Sequence, residues 1–254
     1  DDGSCIYCQT LSIGQIQVVN VSCYGDPNAA WGDGSLTILP FGGTGPYMYT
    51  LYTNLGIFMQ TNSVGNFIDL TAGSYSLELT DANGCSVNID SVAITEPDLI
   101  STSSIVSDVT CYGDSDGELS VTASGGTQPY TYHWEDAGGT LWAYGPDAIG
   151  LPSGTYWLYI TDANMCYLEE NYVITEPNIL SVLVDSTDET SILGDGSANT
   201  IINGGTPPYT YVWNTGQIDS EIDFLEPGLY TVEVIDANGC IILGSTSVNA
   251  YEII

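Results

Sequence analysis

SYSLELTDANGC (74–85), TYWLYITDANMC (155–166) and LYTVEVIDANGC (229–240) are three copies of one unit. In each copy apolar residues alternate with polar or exposed-type ones: Leu77 and Leu79, Leu158 and Ile160, Val232 and Val234. Period two is the mark of a strand with one buried face. Asp-Ala-Asn-Gly follows at 81–84 and 236–239. Asn-Gly predicts a two-residue hairpin turn in which both residues take positive φ. The middle copy has Met165 in place of Gly, so its turn is expected to differ or to be strained.

A second strand precedes each copy: PYMYTL (46–51), PYTYHW (129–134) and PYTYVW (208–213), again alternating. Paired glycines (42–43, 125–126, 204–205) stand before these strands and read as turns. Gly73/Tyr75, Gly154/Tyr156 and Gly228/Tyr230 have the form of a tyrosine corner. The cysteines that close the copies step from 85 to 166 to 240, which is tandem-array behaviour. These signals predict an all-β chain: a tandem array of three immunoglobulin-like β-sandwich modules, of six or seven short strands each. The expected boundaries are 19–97, 98–177 and 178–254, with 1–18 as the end of a preceding module or an N-terminal strand. Thr95-Glu96-Pro97 and Thr175-Glu176-Pro177 mark the joints. Proline stiffens each joint and no Gly/Ser linker follows, so a semi-rigid rod is expected.

The chain has no Lys and no Arg against 32 acidic residues, a formal net charge of −32. Nucleic acid is excluded as a partner, because neutralising phosphates needs Lys or Arg. Attraction to an anionic membrane surface is excluded for the same reason, and no apolar run is long enough for membrane insertion. Every carboxylate must be solvated, hydrogen-bonded to backbone or bound to metal. With 43% hydrophobic and 11% aromatic residues the chain is nevertheless expected to fold. One His and no Lys or Arg leave few parts for an active site, so no enzyme activity is expected. Trypsin-like proteases have no site to cut, which suits a protein outside cells.

Cys-Tyr-Gly-Asp (23–26, 111–114), Gly-Gly-Thr-x-Pro-Tyr (125–130, 204–209), Gly-x-Tyr, Asp-Ala-Asn-x-Cys and Thr-Glu-Pro together resemble the SprB repeat family of Bacteroidota surface proteins. The resemblance spans roughly residues 19–250. It implies display on the bacterial cell surface, export by the type IX secretion route, and a place in long adhesive or filamentous proteins of the kind linked to gliding motility. The third copy departs from the pattern: it lacks Cys-Tyr-Gly-Asp, and Thr190 falls where Cys belongs.

Seven cysteines in an exported chain read as disulfides. Cys23 opens the first module and Cys85 ends its last hairpin; Cys111 and Cys166 do the same in the second. Bridges Cys23–Cys85 and Cys111–Cys166, each within one module, are expected. Cys5, Cys8 and Cys240 are left over, either as a local Cys5–Cys8 bond with Cys240 unpaired or as a head-to-tail link between molecules. No cofactor is required. Calcium is the candidate ion, since unpartnered carboxylates suit a hard cation. Its candidate ligands are Asp26, Asp33, Asp114, Asp116 and Asp195 in Gly-rich segments, and Asp81, Asp162 and Asp236 at the hairpins. The alternative for the hairpin residues is Asx turns with their own backbone.

Strand parity turns His133, Trp157 and Tyr159 outward on the second module, a candidate contact patch that Trp142 and Tyr144 could cover. Two readings of function follow. The first is an adhesive or structural segment of a surface filament, its partners neighbouring repeats or copies of itself. The second is an array that binds surface polysaccharide. Accessory repeats of a large secreted enzyme are a further alternative.

Overall fold

The structure, a computed structural model, describes residues 11–23, 32–190 and 194–251. Every regular element among them is a β-strand. The first repeat contains β1 (Ser12–Val19), β2 (Gly34–Phe41), β3 (Met48–Thr53), β4 (Phe58–Asn62), β5 (Asn66–Leu70), β6 (Gly73–Thr80) and β7 (Ser86–Ile94). The second contains β8 (Ser101–Ser107), β9 (Gly117–Ser124), β10 (Thr131–Asp136), β11 (Leu141–Ala143), β12 (Asp147–Leu151), β13 (Gly154–Thr161) and β14 (Tyr167–Ile174). The third contains β15 (Ser181–Thr187), β16 (Gly196–Asn203), β17 (Thr210–Trp213), β18 (Glu221–Leu225), β19 (Gly228–Ile235) and β20 (Ile241–Val248).

Each repeat forms two sheets: β1-β2-β5 with β4-β3-β6-β7, β12-β9-β8 with β11-β10-β13-β14, and β15-β16-β18 with β17-β19-β20. This is the two-sheet sandwich of the immunoglobulin class. The strand Ser12–Val19, all but its last residue within the segment 1–18, pairs with β2 and so takes part in the first sandwich. The two Thr-Glu-Pro joints lie between β7 and β8 and between β14 and β15.

The chain falls into two compact units. One comprises Asp1–Thr102, Ala123–Thr131 and Ile160–Leu168; the other comprises Ser103–Thr122, Tyr132–Tyr159 and Glu169–Ile254.

Alternation makes the cores. In β6 Tyr75, Leu77 and Leu79 are buried while Ser76 and Glu78 are less so; in β13 Tyr156, Leu158 and Ile160 are buried. Leu36, Ile38, Tyr49, Leu51 and Phe67 join the first core, and Trp213, Ile222, Leu225, Val232 and Val234 form the third. Each such side chain contributes about 1.5–3 kcal/mol by leaving water. The three Gly-x-Tyr tyrosines do make tyrosine corners. The Tyr75, Tyr156 and Tyr230 hydroxyls donate to the carbonyls of Thr71, Pro152 and Glu226, each four residues upstream, at 2.7–2.8 Å.

The hairpin turn differs from the expected type. Gly84, Met165 and Gly239 have φ of 79°, 69° and 87°, and the preceding asparagines are not left-handed. The N–H of each donates to the carbonyl of Asp81, Asp162 or Asp236 (3.0–3.1 Å), while that Asp N–H reaches the carbonyl of Cys85, Cys166 or Cys240. This is a three-residue loop, a turn followed by one left-handed residue that restores the register. The middle loop has the same bonds as its neighbours, so Met165 adopts the glycine conformation rather than a different turn. A non-glycine residue there costs about 1 kcal/mol.

Candidate functional site at the repeat junctions

The hairpin Asp is the hub of each repeat's end. Asp81, Asp162 and Asp236 are only 5%, 4% and 5% exposed. In a chain without Lys or Arg, no cation of that kind can neutralise them. Backbone N–H groups do so instead. Asp81 Oδ1 accepts from Asn83 and Cys85, and Oδ2 from Thr44. Asp162 takes Asn164, Cys166 and Thr127, and Asp236 takes Asn238, Cys240 and Thr206, all at 2.8–2.9 Å. Burial pushes the Asp81 carboxyl up, but the N–H donors of Thr44, Cys85 and Asn83 outweigh it and hold the pKa below the usual carboxylate range.

The same Thr of Gly-Gly-Thr accepts back. The carbonyls of Thr44, Thr127 and Thr206 receive the N–H of Ala82, Ala163 and Ala237 at 2.8–2.9 Å. The paired glycines leave room for this: a Cβ on Gly126 would lie 2.8 Å from Asp162 Oδ2, and one on Gly205 2.9 Å from Asp236 Oδ2.

In the second and third repeats the Asn and the Cys of the motif face the preceding repeat. In the first unit, Asn164 Nδ2 donates to the Ser22 carbonyl (3.1 Å) and to Thr127 Oγ1 (3.0 Å), and Cys166 forms a disulfide with Cys23. In the second unit, Asn238 Nδ2 donates to the Thr110 carbonyl (3.0 Å) and to Thr206 Oγ1 (3.2 Å), and Cys240 bonds to Cys111. One rule describes both junctions. The hairpin of a repeat docks on the opening of the repeat before it, with one amide clamp and one disulfide.

This corrects the expected pairing of Cys23 with Cys85 and Cys111 with Cys166, and it gives Cys240 a partner. The reason is geometric. The Val21 N–H donates to Thr95 O, which places the opening of the first repeat beside the end of β7, whereas Cys85 stands just before that strand begins. The nine residues of β7 separate them by about 30 Å, and a disulfide spans Cα atoms only about 4.4–6.8 Å apart. Val109, Thr175 and Cys166 repeat the arrangement across β14. Cys85 is also disulfide-bonded. Cys5 and Cys8 lie outside the described residues.

Each opening is held by a second set of Asp and Asn side chains. Asp33, Asp116 and Asp195 accept the N–H of Ser22, Thr110 and Thr190 at 2.9 Å. Asn20, Asp108 and Asp188 accept the N–H of Thr95, Thr175 and Asn249. Hydrogen bonds from Ser22 hold the Asp33 carboxyl below its ordinary range, and those from Thr110, Thr175 and Asn249 do the same for Asp116, Asp108 and Asp188. These bonds make Thr190 the counterpart of Ser22 and Thr110, the residue before the cysteine. The expectation that Thr190 replaces Cys is therefore off by one: by order in the chain Ser191, outside the described residues, stands in that place.

Of the calcium candidates, the three hairpin carboxylates are occupied by three backbone donors each. Asp33, Asp116 and Asp195 brace the openings, Asp114 is exposed, and Asp26 lies outside the described residues. No three or more His, Cys, Asp or Glu side chains converge into a metal-holding group among the described residues. At the first junction Ser22, Asp33, Glu96, Thr127 and Asn164 line an open cleft of about 430 Å³.

On the second repeat His133, Trp157 and Tyr159 are half-buried, opposite in parity to the buried Trp134, Tyr156, Leu158 and Ile160. His133 sits edge-on between Tyr144 and Tyr159, with ring centroids 5.7 and 5.8 Å away, and its Nε2 is 3.4 Å from Glu135. Burial, then the hydrogen bond to Glu135 and the charges of Glu135 and Glu169, push the Tyr159 phenol up. Trp142 packs on Tyr156, so of the two expected covers Tyr144 is the one against this patch.

A family model described as the SprB repeat matches residues 16–56 and 103–139, the first strands of the first and second repeats. No curated protein matches the chain. Among solved structures, the three N-terminal domains of the highly immunogenic outer capsid protein (Hoc) of bacteriophage RB49 align over 95% of this chain and 100% of theirs, with a TM-score of 0.51 at 13% identity. The N-terminal eight Ig domains of Down syndrome cell adhesion molecule align over 94% of this chain and 35% of theirs (TM-score 0.40, 11% identity). The tetra-tandem repeat in the extending region of a large adhesion protein aligns over 92% of this chain and 74% of its own (TM-score 0.25, 18% identity). The Hoc alignment shows a shared fold of tandem immunoglobulin-like domains.

Proposed function

We propose that this chain of SprB-type repeats is a non-enzymatic, structural and adhesive segment of an extracellular bacterial adhesin or surface filament. The observation that carries the reading is the junction rule. Two successive hairpins dock on the preceding opening through the same Asn clamp and the same disulfide, so the most specific residues of the repeat serve connection rather than chemistry. The partners are then neighbouring repeats and further copies of the same module. Oxidising conditions outside the cell fit the disulfides, and a chain without Lys or Arg fits exposure to trypsin-like proteases. The proposal assigns no metal to Asp81, Asp162 or Asp236, because calcium would have to displace three backbone donors at each.

Antibodies raised against the chain should label intact, unpermeabilised cells that produce it, and deletion of its gene should reduce their attachment to surfaces. Labelling that requires permeabilisation would reject the reading.

The aromatic face around His133 supports a second reading, contact with surface polysaccharide through stacking on Trp157 and Tyr159. Beads coated with the chain should then lose polysaccharide attachment on Trp157→Ala with Tyr159→Ala. Attachment equal to that of the parent chain would remove this reading and leave the first untouched.

A further inference from the structure

The two junction disulfides interleave. Their ends fall in the order 23, 111, 166, 240, with Cys23 bonded to Cys166 and Cys111 to Cys240. Bridges within repeats would instead lie side by side, leaving 85–111 and 166–240 as single-stranded connections. From this order we infer that the chain is a covalent fail-safe: three parallel routes join the Cys23–Cys166 bridge to the Cys111–Cys240 bridge. One runs through residues 23–111, one backwards through 111–166, and one through 166–240. A backbone break in any one of these segments leaves the two bridges joined, and so do breaks in any two.

The same topology limits stretching. Force that enters at Cys23 and leaves at Cys240 is borne first by the shortest route, 111–166, of 55 residues. At about 3.4 Å per residue that route is taut at about 190 Å, against about 740 Å for the 217 residues of an unbridged chain. Unravelling of a repeat therefore cannot run away along the segment. The inference needs only the cysteine pairing and stands or falls apart from the proposed adhesive role.

The absence of Lys and Arg gives a clean test, because each Lys introduced creates a single tryptic site. Leu99 is 60% exposed at the first joint, Ala137 is exposed in the β10–β11 turn, and Thr215 is exposed in the turn after β17. The full chain carrying Leu99→Lys and Thr215→Lys is alkylated at any free thiol, unfolded in urea with disulfides intact, and digested with trypsin. Denaturing electrophoresis should show one undivided species without reductant and three fragments with it. Adding Ala137→Lys cuts all three routes. Without reductant this variant should fall into two bodies, 1–99 joined to 138–215 and 100–137 joined to 216–254. Release of any fragment from the double variant without reductant would overturn the inference, as would any other grouping from the triple variant. As a control, Cys111→Ser with Cys240→Ser should release 216–254 from the double variant while 1–99 stays joined to 100–215.

Discussion

The openings of the second and third repeats are built alike and connected differently. In both, an Asp accepts the N–H of a threonine: Asp116 with Thr110 and Asp195 with Thr190, at 2.9 Å. In both, a second Asp ties the opening to the end of the last strand: Asp108 to Thr175 and Asp188 to Asn249. The second opening then carries Cys111 and a bridge to Cys240, while the third has serine at the corresponding place in the chain. The hydrogen-bonded frame is the same with or without the cysteine. The disulfide is thus an attachment between repeats, and the carboxylates are what shape the opening.

The largest effect should come from making the second opening like the third. Cys111→Ser with Cys240→Ser should lower stability to denaturant by about 5 kcal/mol on the chain-entropy model for this 129-residue separation. The Thr110 amide should stay protected from hydrogen exchange in the native state. Loss of that protection would mean that the disulfide does shape the opening.

The hairpin side of the junction is the next to test. Asp162→Ala strands the buried N–H groups of Thr127, Asn164 and Cys166 and should cost about 3 kcal/mol or more, measured by thermal unfolding. Asn164→Ala removes the clamp to Ser22 and should cost about 1 kcal/mol. Equal losses from the two would show that the hub and the clamp are one cooperative element.

Two left-handed residues should respond with a gain in stability. Met165 is 78% exposed with φ 69°, where the other hairpins have glycine; Phe224 is 87% exposed with φ 58°, where the second repeat has Gly150 at φ 72°. Met165→Gly and Phe224→Gly should each stabilise by about 0.5–1 kcal/mol, read as a raised melting temperature.

The smallest effect is with pH. Asp108 and Asp188 have pKa values held below the ordinary 3.8. A carboxyl depressed in the folded state binds fewer protons than in the unfolded one. Its stabilisation is present above pH 3.8 and is lost as pH falls through the folded value. The Thr175 and Asn249 amide resonances should therefore titrate together below pH 3.8, despite the disulfide at one opening only.

Much of the fold was legible because it rests on local pattern. Alternation in PYTYHW and TYWLYIT named the buried faces, and Gly-x-Tyr named the corners. The outward parity of His133, Trp157 and Tyr159 followed from the same period. The disulfide pairing was not legible, because a cysteine at an opening and one at a hairpin look alike whether the pair closes one repeat or joins two. What decides is the length of β7 and β14, which sets the two ends of a sandwich too far apart to bridge. The third opening is one residue shorter than the second, so that counting back from Asp195 leads to Thr190 and counting forward from Asp188 to Ser191. The turn type was missed because Asn-Gly also fits a loop in which the glycine alone is left-handed.

The hub carboxylates carry a consequence for how such repeats diverge. Asp81, Asp162 and Asp236 are satisfied by main-chain amides, which nineteen of the twenty amino acids supply. At those positions the backbone makes the bonds whatever side chain it bears. The hub constrains its partners through a single prohibition, proline at the positions of Thr44, Asn83 and Cys85 and their counterparts. The Thr, Asn and Cys that all three copies keep there are held by the side-chain clamp and the disulfide; the aspartate would keep the same knot tied without them.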